Sequence, residues 1–148
     1  MTRINVIDPS LLCDKHLMAE YRELIRIPNA VFGRKMEPKP ITDDYVLGEG
    51  HVKFFSNKLT FLLKRHWDLY NELAYRGFKV NRMDWEITER VVNGIYVSND
   101  YEPTDNAVDL NLNRIIERLP KNPKWTNRSE PDYYIRAISL GIVDLQNS

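Results

Sequence analysis

HVKFFSNKLTFLLKRHWDLYNELAYR, residues 51–76, carries Val52, Phe55, Leu59, Leu62, Leu63, His66, Leu69, Tyr70 and Leu73 at steps of three and four. That spacing lays one apolar stripe along an α-helix. Gly77 follows where a left-handed C-terminal cap belongs, so the stripe predicts one long helix over 51–76, the central strut of the molecule. Phe54, Phe55, Leu59 and Phe61 share the helical spacing and read as core rather than as base-stacking groups. Upstream, Leu11, Leu12, Leu17, Met18, Tyr21, Leu24 and Ile25 repeat the pattern over 8–26, with Asp8-Pro9 as N-cap and first-turn proline and an end before Pro28. Residues 28–50 hold three prolines and three glycines (Pro28, Gly33, Pro38, Pro40, Gly48 and Gly50) and read as a long loop.

Downstream, a short helix is expected over 84–92, a turn at Asn93-Gly94, a third long helix from Thr104 to a stop at Pro120, and a last turn or two over 132–140. No stretch alternates convincingly with period two. The expectation is an all-α fold, a single compact domain over 1–148 with about three main helices on one core.

The 148 residues hold 21 basic and 21 acidic side chains, 43% apolar positions and a single cysteine, Cys13. An intramolecular disulfide and a cysteine-built zinc site are excluded, which suits a reducing cytoplasm, and Cys13 reads as buried packing. The opening MTRINVID has no signal-peptide apolar stretch, and no apolar run approaches the roughly 20 residues a bilayer span needs. The zero net charge hides segregation. Residues 51–82 carry seven basic against two acidic side chains, 84–109 seven acidic against Arg90 alone, and 114–136 six basic against three acidic. Basic segments sharing a face would let a polyanion bind at zero total charge; ordinary solvated helix surface is the alternative.

Phosphate-loop, HExxH, GxSxG and CxxC patterns are missing, and the GEG at 48–50 is too short to cradle a phosphate. His16, His51 and His66 lie far apart without carboxylates at ligand spacing, so no metal site is expected. HLMAEYRELIR, residues 16–26, places His16, Glu20, Arg22, Glu23 and Arg26 within about three turns. Arg22 and Arg26 are i,i+4 neighbours of like charge, a pair that wants an anion opposite, although Glu20 and Glu23 could simply pair with them across the surface. Removal of Met1 before the small Thr2 would free an α-amine with a pKa of about 7.7–8.0, far below lysine and partly neutral near physiological pH.

MTRIN at 1–5, HLMAEYREL at 16–24 with Arg26, and GEGHVKFFSNKLTFLLKR at 48–65 resemble the bacteriophage endonuclease V family of pyrimidine-dimer DNA glycosylase/AP lyases, and RGF at 76–78 and RIIERLPKNPKW at 114–125 extend the likeness. The resemblance implies a compact all-α domain. It implies a Schiff base on the α-amine of Thr2 followed by β-elimination, with Glu23 as the catalytic carboxylate and no metal or organic cofactor. It implies double-stranded DNA with damaged bases or abasic sites as partner, contacted by Arg3, His16, Arg22 and Arg26, with Arg114, Arg118, Lys121 and Trp125 extending that surface in a monomer of a phage-infected or bacterial cytoplasm. Trp125 reads equally as a cap on the core. Lys15 and Ile25 depart from the family pattern, and TNRSEPD separates Trp125 from Tyr133-Tyr134. Two alternatives stay open: the same chemistry on another modified base, and a non-catalytic DNA-binding module that keeps Met1.

Overall fold

A computed structural model describes residues 2–85 and 90–143. Residues 2–7 form an irregular segment, followed by a single 3-10 turn over Pro9–Leu11 and then by α1 (Asp14–Leu24), α2 (Arg26–Phe32), α3 (His51–Phe55) and α4 (Leu59–Tyr75). A hairpin of β1 (Val91–Val92) and β2 (Ile95–Tyr96) precedes α5 (Asp105–Glu117) and α6 (Asp132–Ser139). The fold is mostly helical, as expected, and no helix among the described residues is long and apolar enough to cross a membrane.

The first expected helix is divided at both ends, for identifiable reasons. Asp8 does cap, but it caps the 3-10 turn, its carboxylate accepting the Ser10 N–H at 2.9 Å. The carbonyls of Pro9 and Ser10, which a continuing α-helix would use, accept instead from the Arg76 guanidinium at 3.4 and 3.2 Å. The α-helix therefore starts only at Asp14. At the other end α1 does stop before Pro28, but a second helix follows at once and runs through the proline. Pro28 lacks the N–H that would donate to Leu24, four residues back, and its ring crowds that carbonyl, so α1 ends at Leu24 and the chain restarts as α2 with Pro28 in its first turn.

The predicted strut is likewise two helices. The Leu59 N–H donates to Val97 at 2.9 Å and the Asn99 N–H to Asn57 at 3.3 Å, so the passing segment 97–99 captures the backbone that would have joined α3 to α4. Gly77, at φ 91°, closes α4, and the Phe78 N–H reaches back to Leu73. Asn93 and Gly94, at φ 52° and 78°, form the two-residue turn of the hairpin. The helix expected over 84–92 is replaced at its C-terminal end by β1, while 86–89 lie outside the described residues. Strands of two residues are too short to leave a periodic signal. Thr104 caps α5, its hydroxyl accepting the Ala107 N–H at 3.1 Å.

The core gathers Leu17 and Leu24 of α1, Phe54 and Phe55 of α3, Leu59, Leu62, Leu69 and Leu73 of α4, and Ile115 of α5 around the buried N-terminal residues Ile4 to Ile7, with α1 packed along α4. A satellite cluster of Cys13, Trp125 and Tyr134 joins the tail to the start of α1. Two of the seven basic side chains counted over 51–82 do not reach a surface at all. Arg65 is clamped by Glu20, and Arg76 by Glu72 and Asp14, all at 2.8–2.9 Å. The expected basic face over that segment is thereby reduced, because a buried guanidinium is stable only when carboxylates and carbonyls take its protons.

Candidate functional site

An α-helix brings residues 16, 19, 20 and 23 to one side. On α1 these are His16, Ala19, Glu20 and Glu23, and all four line a cleft of about 320 Å³. Its other walls are Arg3 and Asn5 from the N-terminal segment and Arg114, Ile115 and Arg118 from α5. Three separate parts of the chain thus meet around two carboxylates and three guanidinium groups.

Among the described residues the N-terminal segment forms no ladder with another strand; side chains hold it instead. The Arg3 N–H donates to Glu23 Oε1 at 3.3 Å, which fixes the carboxylate one peptide away from the half-buried Thr2. The Ile4 N–H donates to His51 Nε2 at 2.9 Å and the Ile4 carbonyl accepts from the Tyr45 hydroxyl at 3.1 Å. The Val6 N–H donates to Asn111 Oδ1 at 2.7 Å. Asn111 in turn donates to Asn5 Oδ1, and Asn5 donates to Glu20 Oε1, both at 2.8 Å. Glu20 completes the chain by accepting two bonds from Arg65, at 2.8 and 2.9 Å. Glu20 is thus a structural anion, 2% exposed, whereas Glu23 remains half-buried at the cleft.

Arg3, Arg114 and Arg118 crowd one another. Burial, with the repulsion of Arg114 and Arg118 added, pushes the Arg3 guanidinium below its ordinary pKa, against the opposing pull of Tyr45 and Glu23. An anion entering the cleft would relieve that repulsion. His16 Nε2 donates to the Arg118 carbonyl at 3.0 Å, because a carbonyl can only accept, which leaves Nδ1 buried as a lone pair without a partner. Burial chiefly, aided by Arg3, holds His16 below the ordinary histidine range, while the Arg118 bond works the other way.

Of the residues expected at the site, Arg3, His16, Glu23, Arg114 and Arg118 line the cleft, and Thr2 adjoins Arg3. Arg22, Arg26 and Lys121 are exposed and stand outside its lining. Trp125 is 5% exposed, its indole N–H donating to Leu11 at 2.9 Å, with Tyr134 at 4.9 Å between ring centres; of its two readings, the structure gives the cap on the core. Cys13 is buried beside it, and Phe54, Phe55 and Leu59 are core residues as read.

Asn5, Tyr45 and Asn111 escaped the sequence reading, and His51 and Arg65 figured in it only as a histidine without metal ligands and as one charge of the basic segment. Apart from the His51 bond to Val46, their partners lie from 15 to 106 residues away, beyond any local pattern. Only the polar Asn5 within the otherwise apolar segment 4–7, and His51 and Arg65 within the stretch 51–73, hinted that those positions needed internal partners.

The family model described as pyrimidine dimer DNA glycosylase matches residues 1–86. The matched part includes the N-terminal segment and all of α1 to α4, hence Arg3, His16, Glu20 and Glu23, while Arg114 and Arg118 are brought to the same cleft by the fold from outside it. With the family model matching more than half of the sequence, and a helical fold whose cleft gathers cations around the N-terminal segment, the chain belongs to the pyrimidine dimer DNA glycosylase family.

Proposed function

We propose that this protein excises cyclobutane pyrimidine dimers from double-stranded DNA with the α-amine of Thr2 as nucleophile, and then cleaves the strand as an AP lyase. The observation that carries the reading is the Arg3 N–H bond to Glu23, which holds a carboxylate beside Thr2 in a cleft walled by Arg3, Arg114 and Arg118. Removal of Met1 frees the amine, whose low basicity leaves a neutral fraction near physiological pH. Its lone pair attacks the deoxyribose C1′, the glycosidic bond breaks, and its electrons leave with the base, which takes up a proton. The nitrogen then gives up one of its two protons, the C1′–O4′ bond breaks with O4′ leaving as a hydroxyl, and the opened sugar is joined to the enzyme as a protonated Schiff base between nitrogen and C1′.

That cation acidifies C2′. Loss of a C2′ proton and departure of the 3′ phosphate by β-elimination break the strand, and water then hydrolyses the imine to return the amine. Glu23 stabilises the cationic sugar and carries protons. Arg3, Arg114 and Arg118 take phosphates at the cleft, His16 borders the same space, and exposed Arg22, Arg26 and Lys121 extend the contact over the flanking duplex. A damaged step is weakly stacked, so its distortion costs less than that of intact duplex. Trp125, sealed in the satellite core, receives no DNA contact in this reading.

Borohydride reduction in the presence of duplexes carrying a thymine dimer, an abasic site or no lesion tests the reading. A covalent adduct on the dimer duplex, abolished by acetylating the N-terminus, is the expected result. Adduct on the abasic duplex alone would leave a lyase without the proposed glycosylase substrate, and no adduct on any duplex would remove the amine from the mechanism. Glu23→Gln is expected to bind dimer DNA as the parent does in gel-shift titration while losing base release by at least about a hundredfold, the order of a general acid–base contribution.

A further inference from the structure

Resting on the proposed role of the Thr2 amine, we infer that His51 is a positioning residue for that nucleophile: its Nε2 lone pair grips the Ile4 N–H and sets the register in which Thr2 meets Glu23. Arg3 and Ile4 are consecutive residues, and their N–H groups take side-chain acceptors from two different elements. The acceptor of Arg3 is Glu23 Oε1 and that of Ile4 is His51 Nε2. The segment is thereby held between a carboxylate of α1 and an imidazole of α3. A slip of one residue would carry Arg3 into the space that buries Ile4, which is wholly inaccessible. Ile4 lies only two residues from Thr2, a reach of about 7 Å, so its clamp is a near fixing point for the amine.

His51 is itself oriented by its surroundings. Because Nε2 accepts from a backbone N–H, the ring proton is on Nδ1, which donates to the Val46 carbonyl at 2.8 Å. Tyr45 and Phe55 meet the ring edge-on at 5.4 and 5.5 Å between centres. Burial chiefly, helped by Arg3 and opposed by the Val46 bond and Glu20, keeps the ring neutral and its lone pair available. The GEG that is too short for a phosphate loop finds its use here. Gly48 and Gly50, at φ 73° and 89°, turn the chain so that His51 becomes the first residue of α3, its own N–H reaching the Gly48 carbonyl at 3.1 Å.

Two amides separate the two ring nitrogens in the full-length protein. His51→Asn places a donor near Nδ1, able to serve Val46, but is too short to reach Ile4; His51→Gln places its amide near Nε2 and can accept the Ile4 N–H. Single-turnover borohydride trapping on an abasic duplex, with enzyme in excess, reports the rate of bound enzyme rather than the folded fraction. Affinity for a duplex with an unreactive tetrahydrofuran site is measured in parallel. We expect His51→Asn to trap on the order of 10- to 100-fold more slowly at unchanged affinity, the scale of a small misplacement of a reacting group, and His51→Gln to recover most of the rate. Trapping by His51→Asn at the parental rate, or equal rates for the two variants, overturns the inference. Should His51→Asn not fold, Tyr45→Phe removes the other side-chain bond to Ile4: slower trapping at unchanged affinity supports the clamp, and the parental rate overturns it. Absence of trapping by the unaltered protein would instead overturn the amine reading, and this inference with it.

Discussion

Glu20 and Glu23 stand one turn apart on α1 and have opposite fates. Glu20 faces the interior and is neutralised by Arg65, with the two side chains 1% and 7% exposed, while Glu23 faces the cleft and accepts a backbone N–H. Truncating Glu20 to alanine leaves the Arg65 guanidinium buried without its carboxylate and is expected to cost about 3–5 kcal/mol, read from urea unfolding. At the cleft rim, Arg118→Ala is expected to weaken binding to damaged and undamaged duplex alike. It should also flatten the dependence of log affinity on log salt by about one unit, as removal of one phosphate contact does. An unchanged salt slope would take Arg118 off the DNA.

The helices show how far local chemistry reaches before long-range contacts overrule it. Apolar spacing located α1, α4 and α5, but Arg76, reaching back to Pro9 and Ser10, shortened the first, and segment 97–99 cut α3 from α4. Where no such partner intervenes, terminal signals hold. Thr104→Ala at the start of α5 removes the bond to the Ala107 N–H and is expected to cost about 1 kcal/mol. Gly77→Ala meets no atom within 4 Å, so its cost of about 1–2 kcal/mol is that of the left-handed backbone alone. Thermal melts of the two variants, with helicity followed at 222 nm by circular dichroism, check both figures.

Across the whole molecule the buried histidines set the acid limit of stability. Burial is the chief cause that holds His16, His51 and His66 below the ordinary histidine range. The native state keeps them neutral where the unfolded chain takes up protons, so their contribution is intact above about pH 6.5 and declines as the pH falls below it. Carboxylates add a second, lower step. Asp8, bonded by Ser10, and Asp100, bonded by Lys64, are held below the usual carboxylate range. So are Asp14 and Glu72, where burial works upward but is outweighed by hydrogen bonds from Thr126 and Arg76 and from Arg128 and Arg76. These contributions exist above about pH 4 and are lost below it, with Asp68, raised by burial, acting in the opposite sense. The melting temperature is expected to fall in two stages on acidification; a flat profile between about pH 7.5 and 5 would contradict the histidine stage.

Sequence by itself determined the helical class, the core identity of Phe54, Phe55 and Leu59, the Gly77 cap, the Asn93-Gly94 turn and, through short motifs near the N-terminus, the family. Each of these follows from neighbours within a turn or from residues close in the chain. Which of two glutamates is a buried counter-ion, which arginines reach solvent, and that Trp125 packs inward were decided only by tertiary structure. The bonds responsible join Glu20 to Arg65, Val6 to Asn111 and Trp125 to Leu11 across 45, 105 and 114 residues. A charge shows in sequence; whether it is desolvated depends on what the rest of the chain brings against it.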